Sequence, residues 1–285
     1  MGDIFYVDGE FVDGDTASIP ITDLGVLRGY GVFDFLRTYH GKPFHLEAHV
    51  DRLYRSAEVL GMALPWPKDE VIQIIIQTLM HSQHDECNVR IVVTGGESED
   101  FITPMDKPRL AVLVTKAKPP ADHYYTDGAK IVTVNESRYL PLAKSLNYIP
   151  AIRAMTLARA ANAVEAIYVR EGSYALEGTT TNLFVFFGDR LITPEAHMLP
   201  GITRQVVIDL AKKHYQLEER AISLEELYKA DEVFITASNK QVMPVVQVDD
   251  ATIGDGVPGP HTRKIMQVFG EYTGVPLPTP QPSGD

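Results

Sequence analysis

A stiff polar stretch, Lys116-Ala117-Lys118-Pro119-Pro120-Ala121-Asp122, interrupts this chain at a point where neither a helix nor a strand can run on. Each proline lacks the amide hydrogen that either ladder would need, and restricts the residue before it. Strand and helix patterns occur on both sides of the stretch, so the chain is expected to fold in two parts. Residues 1–117 are read as an N-terminal α/β domain, 118–122 as a linker and 123–285 as a C-terminal α/β domain. The fold class is α/β (α+β).

The patterns behind that division are local. Ile4 to Val7 and Phe11-Val12 flank Asp8-Gly9, a pair suited to the positive φ angles of a type I′ hairpin turn. Leu46, Val50, Leu53, Ala57 and Leu60 fall on one helical face, and a second helix is expected from Pro67 with Val71, Ile72, Ile75 and Leu79 turned inward. Strands are expected at Asn88 to Thr94, Leu110 to Thr115, Lys130 to Val134, Ala166 to Val169, Leu183 to Phe187 and Glu232 to Ile235. Further helices are expected near Ile149 to Ala161, Thr203 to His214 and Thr262 to Phe269, before a proline-rich tail from Pro276 to Pro282.

Composition narrows the function. Apolar residues at 45% and charged residues at 22% are those of a soluble globular protein. A net charge of -12, with no basic stripe to offset it, argues against nucleic acid and anionic membranes as partners. Cys87, the single cysteine, excludes an internal disulfide and is read as a small core residue among Val89, Ile91 and Val93. The opening Met1-Gly2-Asp3-Ile4-Phe5 has neither a basic nor an apolar leader pattern, and Val71 to Met80 is too short to span a bilayer, so a cytoplasmic protein is expected. His45, His49 and the other histidines show no metal-ligand spacing.

Four segments carry candidate chemistry. Leu199-Pro200-Gly201-Ile202-Thr203-Arg204 precedes an apolar helix pattern, so the N–H groups of Ile202 and Thr203 could meet a phosphate at a helix N-terminus. Arg52 borders an apolar helix position and could clamp a phosphate; a surface ion pair with Asp51, Glu47 or a neighbour is the plainer alternative. Lys144 lies among Leu140, Leu142, Leu146 and Tyr148, where desolvation would favour its neutral, nucleophilic form. Glu177 opens Glu177-Gly178-Thr179-Thr180-Thr181, a hydroxyl-rich corner before an apolar strand. An amine and a carboxylate in such settings suit pyridoxal phosphate, which needs a lysine and an acidic partner for its ring nitrogen.

These segments, in this order, resemble the fold-type IV pyridoxal-phosphate enzymes, the class IV aminotransferases. The resemblance runs from Asp23-Leu24-Gly25-Val26-Leu27-Arg28-Gly29-Tyr30-Gly31-Val32-Phe33-Asp34 to Met243-Pro244-Val245. It implies a pyridoxal 5′-phosphate cofactor held between two α/β domains of a homodimer. Lys144 would be the catalytic Schiff-base lysine and proton shuttle. Arg52, Ile202, Thr203, Ser238 and Asn239 would hold the phosphate end, Glu177 the pyridine nitrogen, and Tyr148 the phenolic oxygen.

The substrate is less constrained. Members acting on D-amino acids carry an Arg-x-His carboxylate grip where this chain has Gly95-Gly96-Glu97-Ser98-Glu99-Asp100-Phe101. Branched-chain members place a glycine pair where this chain has Ser145-Leu146. Arg90 should lie on the opposite sheet face from Val89 and Ile91, and Arg28 lies in the glycine-rich loop that in the family reaches a neighbouring subunit. Both are candidates for holding the substrate α-carboxylate. The expected activity is transamination between an amino acid, a D-amino acid by preference, and a 2-oxo acid such as 2-oxoglutarate or pyruvate. A branched-chain L-amino-acid aminotransferase, an aminodeoxychorismate lyase and a non-catalytic regulatory relative that binds the cofactor are the alternatives, in that order.

Overall fold

The computed structural model describes residues 2–170 and 173–279. The last part of the proline-rich tail, 280–282, lies outside the described residues. By packing, the chain forms two compact units: Met1–Lys118 with Leu142–Tyr148, and Pro119–Pro141 with Ile149–Asp285.

The first unit is an antiparallel sheet with helices on one face. Its elements are β1 (Ile4–Val7), β2 (Glu10–Asp13), α1 (Leu24–Arg28), β3 (Gly31–Tyr39), β4 (Lys42–Pro43), α2 (Leu46–Val59), α3 (Lys68–Met80), β5 (Cys87–Thr94) and β6 (Arg109–Lys116). The six strands run in the order β2-β1-β6-β5-β3-β4. Asp8 and Gly9, at φ 48° and 101°, make the β1–β2 turn that the sequence predicts. Pro67 is the N-cap residue of α3, where its missing N–H costs nothing. The core joins Val50, Leu53 and Ala57 of α2 and Val71 and Ile75 of α3 to Val89, Ile91 and Val93 of β5 and to Val32 and Leu36 of β3. Cys87 lies in that core, and burial pushes its thiol pKa up, away from reactivity.

One expectation changes here. Arg28 does not lie in a glycine-rich loop but at the end of a short helix. The Asp23 carboxylate accepts the Gly25 N–H at 2.6 Å and caps the short helix α1, which ends at Gly29 in the left-handed region with φ 67°. β3 starts two residues later. Arg28 is therefore the last residue of a helix, exposed, with its guanidinium turned back onto the Leu27 carbonyl at 2.9 Å.

The second unit contains α4 (His123–Thr126), β7 (Ala129–Val134), α5 (Ile149–Ala160), β8 (Glu165–Arg170), β9 (Tyr174–Gly178), β10 (Asn182–Phe187), β11 (Arg190–Thr193), α6 (Ile202–Ala211), β12 (Gln216–Glu219), β13 (Ile222–Ser223), α7 (Leu224–Lys229), β14 (Glu232–Ala237), β15 (Gln241–Val248), β16 (Ala251–Thr252) and α8 (Pro260–Thr273). Its sheet runs β12-β11-β10-β14-β15-β7-β8-β9-β13, mixing parallel and antiparallel pairs. A further pairing of β9 with β10, through Glu177 and Asn182, closes β10-β14-β15-β7-β8-β9 on itself. Strands in such a ring are buried on both faces, which is why β8, β10 and β14 read as nearly unbroken apolar runs. No helix among the described residues is long and apolar enough to cross a membrane.

Candidate active site

In the first unit the chemistry gathers around β3. Asp34 is fully buried; its Oδ2 accepts from Arg52 Nε at 2.9 Å, and its Oδ1 accepts from Arg52 Nη2 at 2.8 Å and meets His49 Nδ1 at 2.6 Å. Burial alone would raise the Asp34 pKa, but the charges and donors of Arg52 and His49 hold it well below the usual carboxylate range. An ionised carboxylate can only accept, so Nδ1 of His49 carries the proton shared with it. Burial pushes the His49 pKa down against the pull of Asp34, and the charges of Arg52 and Lys144 push it the same way. Arg52 is thus held by a partner from β3, not by Asp51 or Glu47 on its own helix; Asp51 pairs with Lys68 instead.

Lys144 belongs to the same unit. The Lys144 carbonyl accepts the Phe33 N–H at 2.8 Å, the Leu146 N–H donates to the Gly31 carbonyl at 2.9 Å, and the Lys144 N–H donates to Ser56 Oγ at 3.0 Å. Ser56 Oγ in turn donates to the Arg52 carbonyl at 2.8 Å. The segment is laid along the start of β3 and tied to α2. Its amine comes to rest 4.5 Å from the centre of the Phe33 ring. Tyr148 meets that ring edge-on at 5.3 Å, and the Arg90 guanidinium carbon lies 5.3 Å from it and 5.5 Å from the Phe35 ring. Phe33, to which the sequence reading assigns no role, is the surface on which the candidate amine, the candidate tyrosine and one candidate arginine converge. Arg28 does not join them.

Arg90 does lie on the face opposite Val89 and Ile91, which are fully buried while Arg90 is exposed. Acids of the stretch after β5 are held by local donors. Asp100 accepts from the N–H and hydroxyl of Thr103, the N–H of Ile102 and the Ser98 hydroxyl, and these donors hold its pKa well below the usual carboxylate range. Glu97 accepts from the Thr22 hydroxyl at 2.9 Å. Both acids already have donors of their own.

In the second unit Glu177 sits where β9 closes onto β10. Its Oε2 accepts the Leu199 N–H at 2.9 Å and its Oε1 accepts from Arg138 Nη1 at 3.1 Å. Charge-assisted bonds of this kind fix an ionised carboxylate in one orientation. Arg138 is a site neighbour with no local signal in the sequence, because it meets Glu177 across 39 positions. Asn182, paired with Glu177 in register, donates to the Leu199 carbonyl at 2.9 Å.

Two residues on, Gly201 is the N-cap of α6 and brings no capping side chain, so the first N–H groups of the helix, from Ile202 and Thr203, are left for another acceptor. A Cβ at Gly201 would come within 1.9 Å of Asn182 Oδ1, so only glycine permits this approach. Ser238 is half-buried and Asn239 exposed in the turn from β14 to β15.

A buried carboxylate lies beneath these turns. Glu165 accepts the N–H and hydroxyl of Thr179 at 3.1 and 2.5 Å, the Thr180 hydroxyl at 2.7 Å and the Ala166 N–H at 3.0 Å. Burial opposes its ionisation, but Lys240 at 3.3 Å and the two threonines hold its pKa down. Lys240 also donates to the Thr180 hydroxyl at 2.8 Å. Glu165 and Lys240 therefore join the turn after Glu177 to the turn that carries Ser238.

The donor set fits pyridoxal phosphate: an amine beside an aromatic face, a fixed buried carboxylate, and a helix N-terminus freed of a cap by a glycine that tolerates no Cβ. Among the described residues no cluster of His, Cys, Asp and Glu could hold a metal.

Comparison with known proteins gives one answer on family. The profile described as Amino-transferase class IV matches residues 31–248. A putative branched-chain-amino-acid aminotransferase of Methanocaldococcus jannaschii is 34% identical over 274 residues, covering 93% of this chain and 94% of that protein. The D-alanine aminotransferase of Listeria monocytogenes is 33% identical over 273 residues, with the same coverage of 93% and 94%. Among solved structures, a T.th. branched-chain amino acid aminotransferase with pyridoxamine 5′-phosphate superposes with a TM-score of 0.90 at 28% identity, over 96% of this chain and 94% of that one. The same enzyme complexed with N-(5′-phosphopyridoxyl)-L-glutamate gives 0.89 at 28% identity, over 95% and 94%. The chain belongs to the class IV aminotransferases and is a pyridoxal-phosphate-dependent enzyme of amino-group transfer.

Proposed function

We propose that the enzyme moves amino groups between D-amino acids and 2-oxo acids such as 2-oxoglutarate or pyruvate, with the substrate α-carboxylate held by Arg90. The observation that carries this reading is the Phe33 ring, which has the Lys144 amine at 4.5 Å and the Arg90 guanidinium at 5.3 Å. A substrate whose α-carbon lies at that amine brings its carboxylate within reach of that guanidinium.

When bound, the cofactor supplies an aldehyde that condenses with amines and a ring that accepts the electrons left at the α-carbon. The protein's part is positional. Lys144 would carry the covalent attachment and move the α-proton. Glu177, fixed by Leu199 and Arg138, would keep a proton at the ring nitrogen. Arg52, Thr203 and the N–H groups of Ile202 and Thr203 would hold the phosphate, with Ser238 and Asn239, and Tyr148 would serve the phenolic oxygen. Donor and acceptor use one site in turn, so the kinetics are ping-pong. The enzyme acts as a homodimer, Arg28 serving the partner's site, in the cytoplasm, where a single buried thiol is at home.

The D-amino-acid reading draws on Ser145-Leu146 in place of a glycine pair. The branched-chain L-amino-acid reading is supported by the Methanocaldococcus relative and by the likeness to the T.th. enzyme. Identities of 34% and 33% to proteins of the two names do not separate them.

Borohydride reduction and peptide mapping should place a pyridoxyl label on Lys144, and a label elsewhere ends the assignment. D-alanine with 2-oxoglutarate, and D-glutamate with pyruvate, should turn over faster than L-leucine with 2-oxoglutarate. Activity on L-leucine alone refutes the stereochemical preference. Arg90→Leu should raise KM for the amino acid while cofactor affinity stays at its wild-type value.

A further inference from the structure

Three arginines are buried among the described residues, and two of them are paired: Arg52 with Asp34, and Arg204 with Glu219 at 2.8 Å. The third, Arg37, is 8% exposed and makes no ion pair among the described residues. Its Nε donates to the neighbouring Thr38 carbonyl at 3.2 Å, and its guanidinium lies 4.6 Å from the centre of the Tyr39 ring. Both contacts hold the side chain in place, but neither supplies a negative charge. A guanidinium taken from water without a counter-ion is costly, and a bound anion can offset that cost.

The position of Arg37 says which anion. Along β3, residues 33, 35 and 37 lie on one sheet face, at steps of about 7 Å. In register, Phe35 faces Arg90 and Arg37 faces Asn88 on β5. Asn88 is half-buried, and its amide makes no described hydrogen bond. A single line on one face therefore carries the Lys144 amine over Phe33, then Arg90 beside Phe35, then Arg37 opposite Asn88.

We propose that Arg37, with Asn88, is a second carboxylate subsite, which takes the distal carboxylate of a dicarboxylic substrate. The chemical class is a 2-oxo diacid of five carbons and its amino acid. This rests on the reading that Arg90 holds the α-carboxylate. It makes the enzyme selective for an acidic partner in at least one half-reaction, through a guanidinium whose paired donors match a carboxylate.

The test uses holoenzyme with one amino donor and two acceptors, 2-oxoglutarate and the monocarboxylic 2-oxohexanoate. Arg37→Met should lower the ratio of kcat/KM for 2-oxoglutarate to that for 2-oxohexanoate by roughly 10- to 100-fold, the worth of a lost charge-assisted bond. Arg37→Lys should recover part of that ratio. An unmoved ratio overturns the proposal, and so does an equal loss on both acceptors, which marks a structural role.

If the Met variant fails to accumulate, wild-type holoenzyme is titrated with glutarate and pentanoate as competitors of the amino donor. Glutarate should bind about 10-fold more tightly or better; equal or weaker binding overturns the subsite. Arg90→Leu, assayed beside them, reports separately on the α-carboxylate reading. It should impair both acceptors alike. If it impairs neither, that reading fails, while the Arg37 ratio still decides the subsite.

Discussion

Removing the charge of Asp34 tests how the first unit holds Arg52. The carboxylate receives Arg52 Nε and Nη2 and meets His49 Nδ1, all with the acid fully buried. Asp34→Asn keeps the shape, removes the counter-ion and turns an N–H₂ group toward at least one of those donors. Breaking a buried pair while leaving its partner charged costs about 3–5 kcal/mol, a large share of the roughly 5–15 kcal/mol that holds a domain folded.

The single tryptophan, Trp66, packs against the core of this unit, so its fluorescence reports the unit directly. With a urea slope of about 1–3 kcal/mol/M, the midpoint should fall by about 1 M or more with the slope unchanged. Adding Arg52→Met removes the stranded charge, and the double variant should regain most of the loss. A cost under about 1 kcal/mol, or a double variant as unstable as the sum of its parts, refutes the reasoning.

The same fluorescence probe should show acid sensitivity from His49. Its folded pKa lies below the ordinary 6.5, so under pH 6.5 the unfolded chain binds more protons. The contribution is present above 6.5 and is lost as pH falls toward the folded value, and His49→Gln should flatten that slope. Asp34, whose folded pKa is also depressed, loses its contribution only at lower pH, below the ordinary carboxylate range. In the second unit, Glu165→Gln should destabilise by about 3–5 kcal/mol, because Lys240 is left without its acid. Circular-dichroism melting measures this, and Lys240→Met in the same chain should restore part of it.

Local features of the fold were legible, while the pairing of charges was not. Asp8-Gly9 announced a turn, Pro67 a helix start, and the alternation around Arg90 a strand with one buried face, because each rests on neighbours in sequence. β3 escaped notice for a physical reason. It is buried on both faces, so it lacks alternation, and it carries Asp34 and Arg37 inside. The partner of Arg52 was sought among acids on its own helix, whereas Asp34 meets it across 18 positions. Glu165 was left outside the expected strand at Ala166 to Val169, since nothing local shows that a glutamate will be buried. Its threonine partners are 14 and 15 residues away. The amine, the carboxylate and the helix start could be named as chemical groups; Phe33 and Arg138, which orient them, become visible only once distant strands are laid side by side.

The stretch Leu142–Tyr148 packs with the first unit although the chain on either side of it belongs to the second. During synthesis, then, the first unit stays incomplete until residue 148 has been made. Until then the Phe33 N–H and the Gly31 carbonyl await their partners in the Lys144 segment. The same threading restricts recombination between relatives. A crossover at residue 118 would keep β3 and α2 from one parent and take Lys144 from the other. An exchange that respects this packing has to carry the loop Leu142–Tyr148 along with the chain up to Lys118.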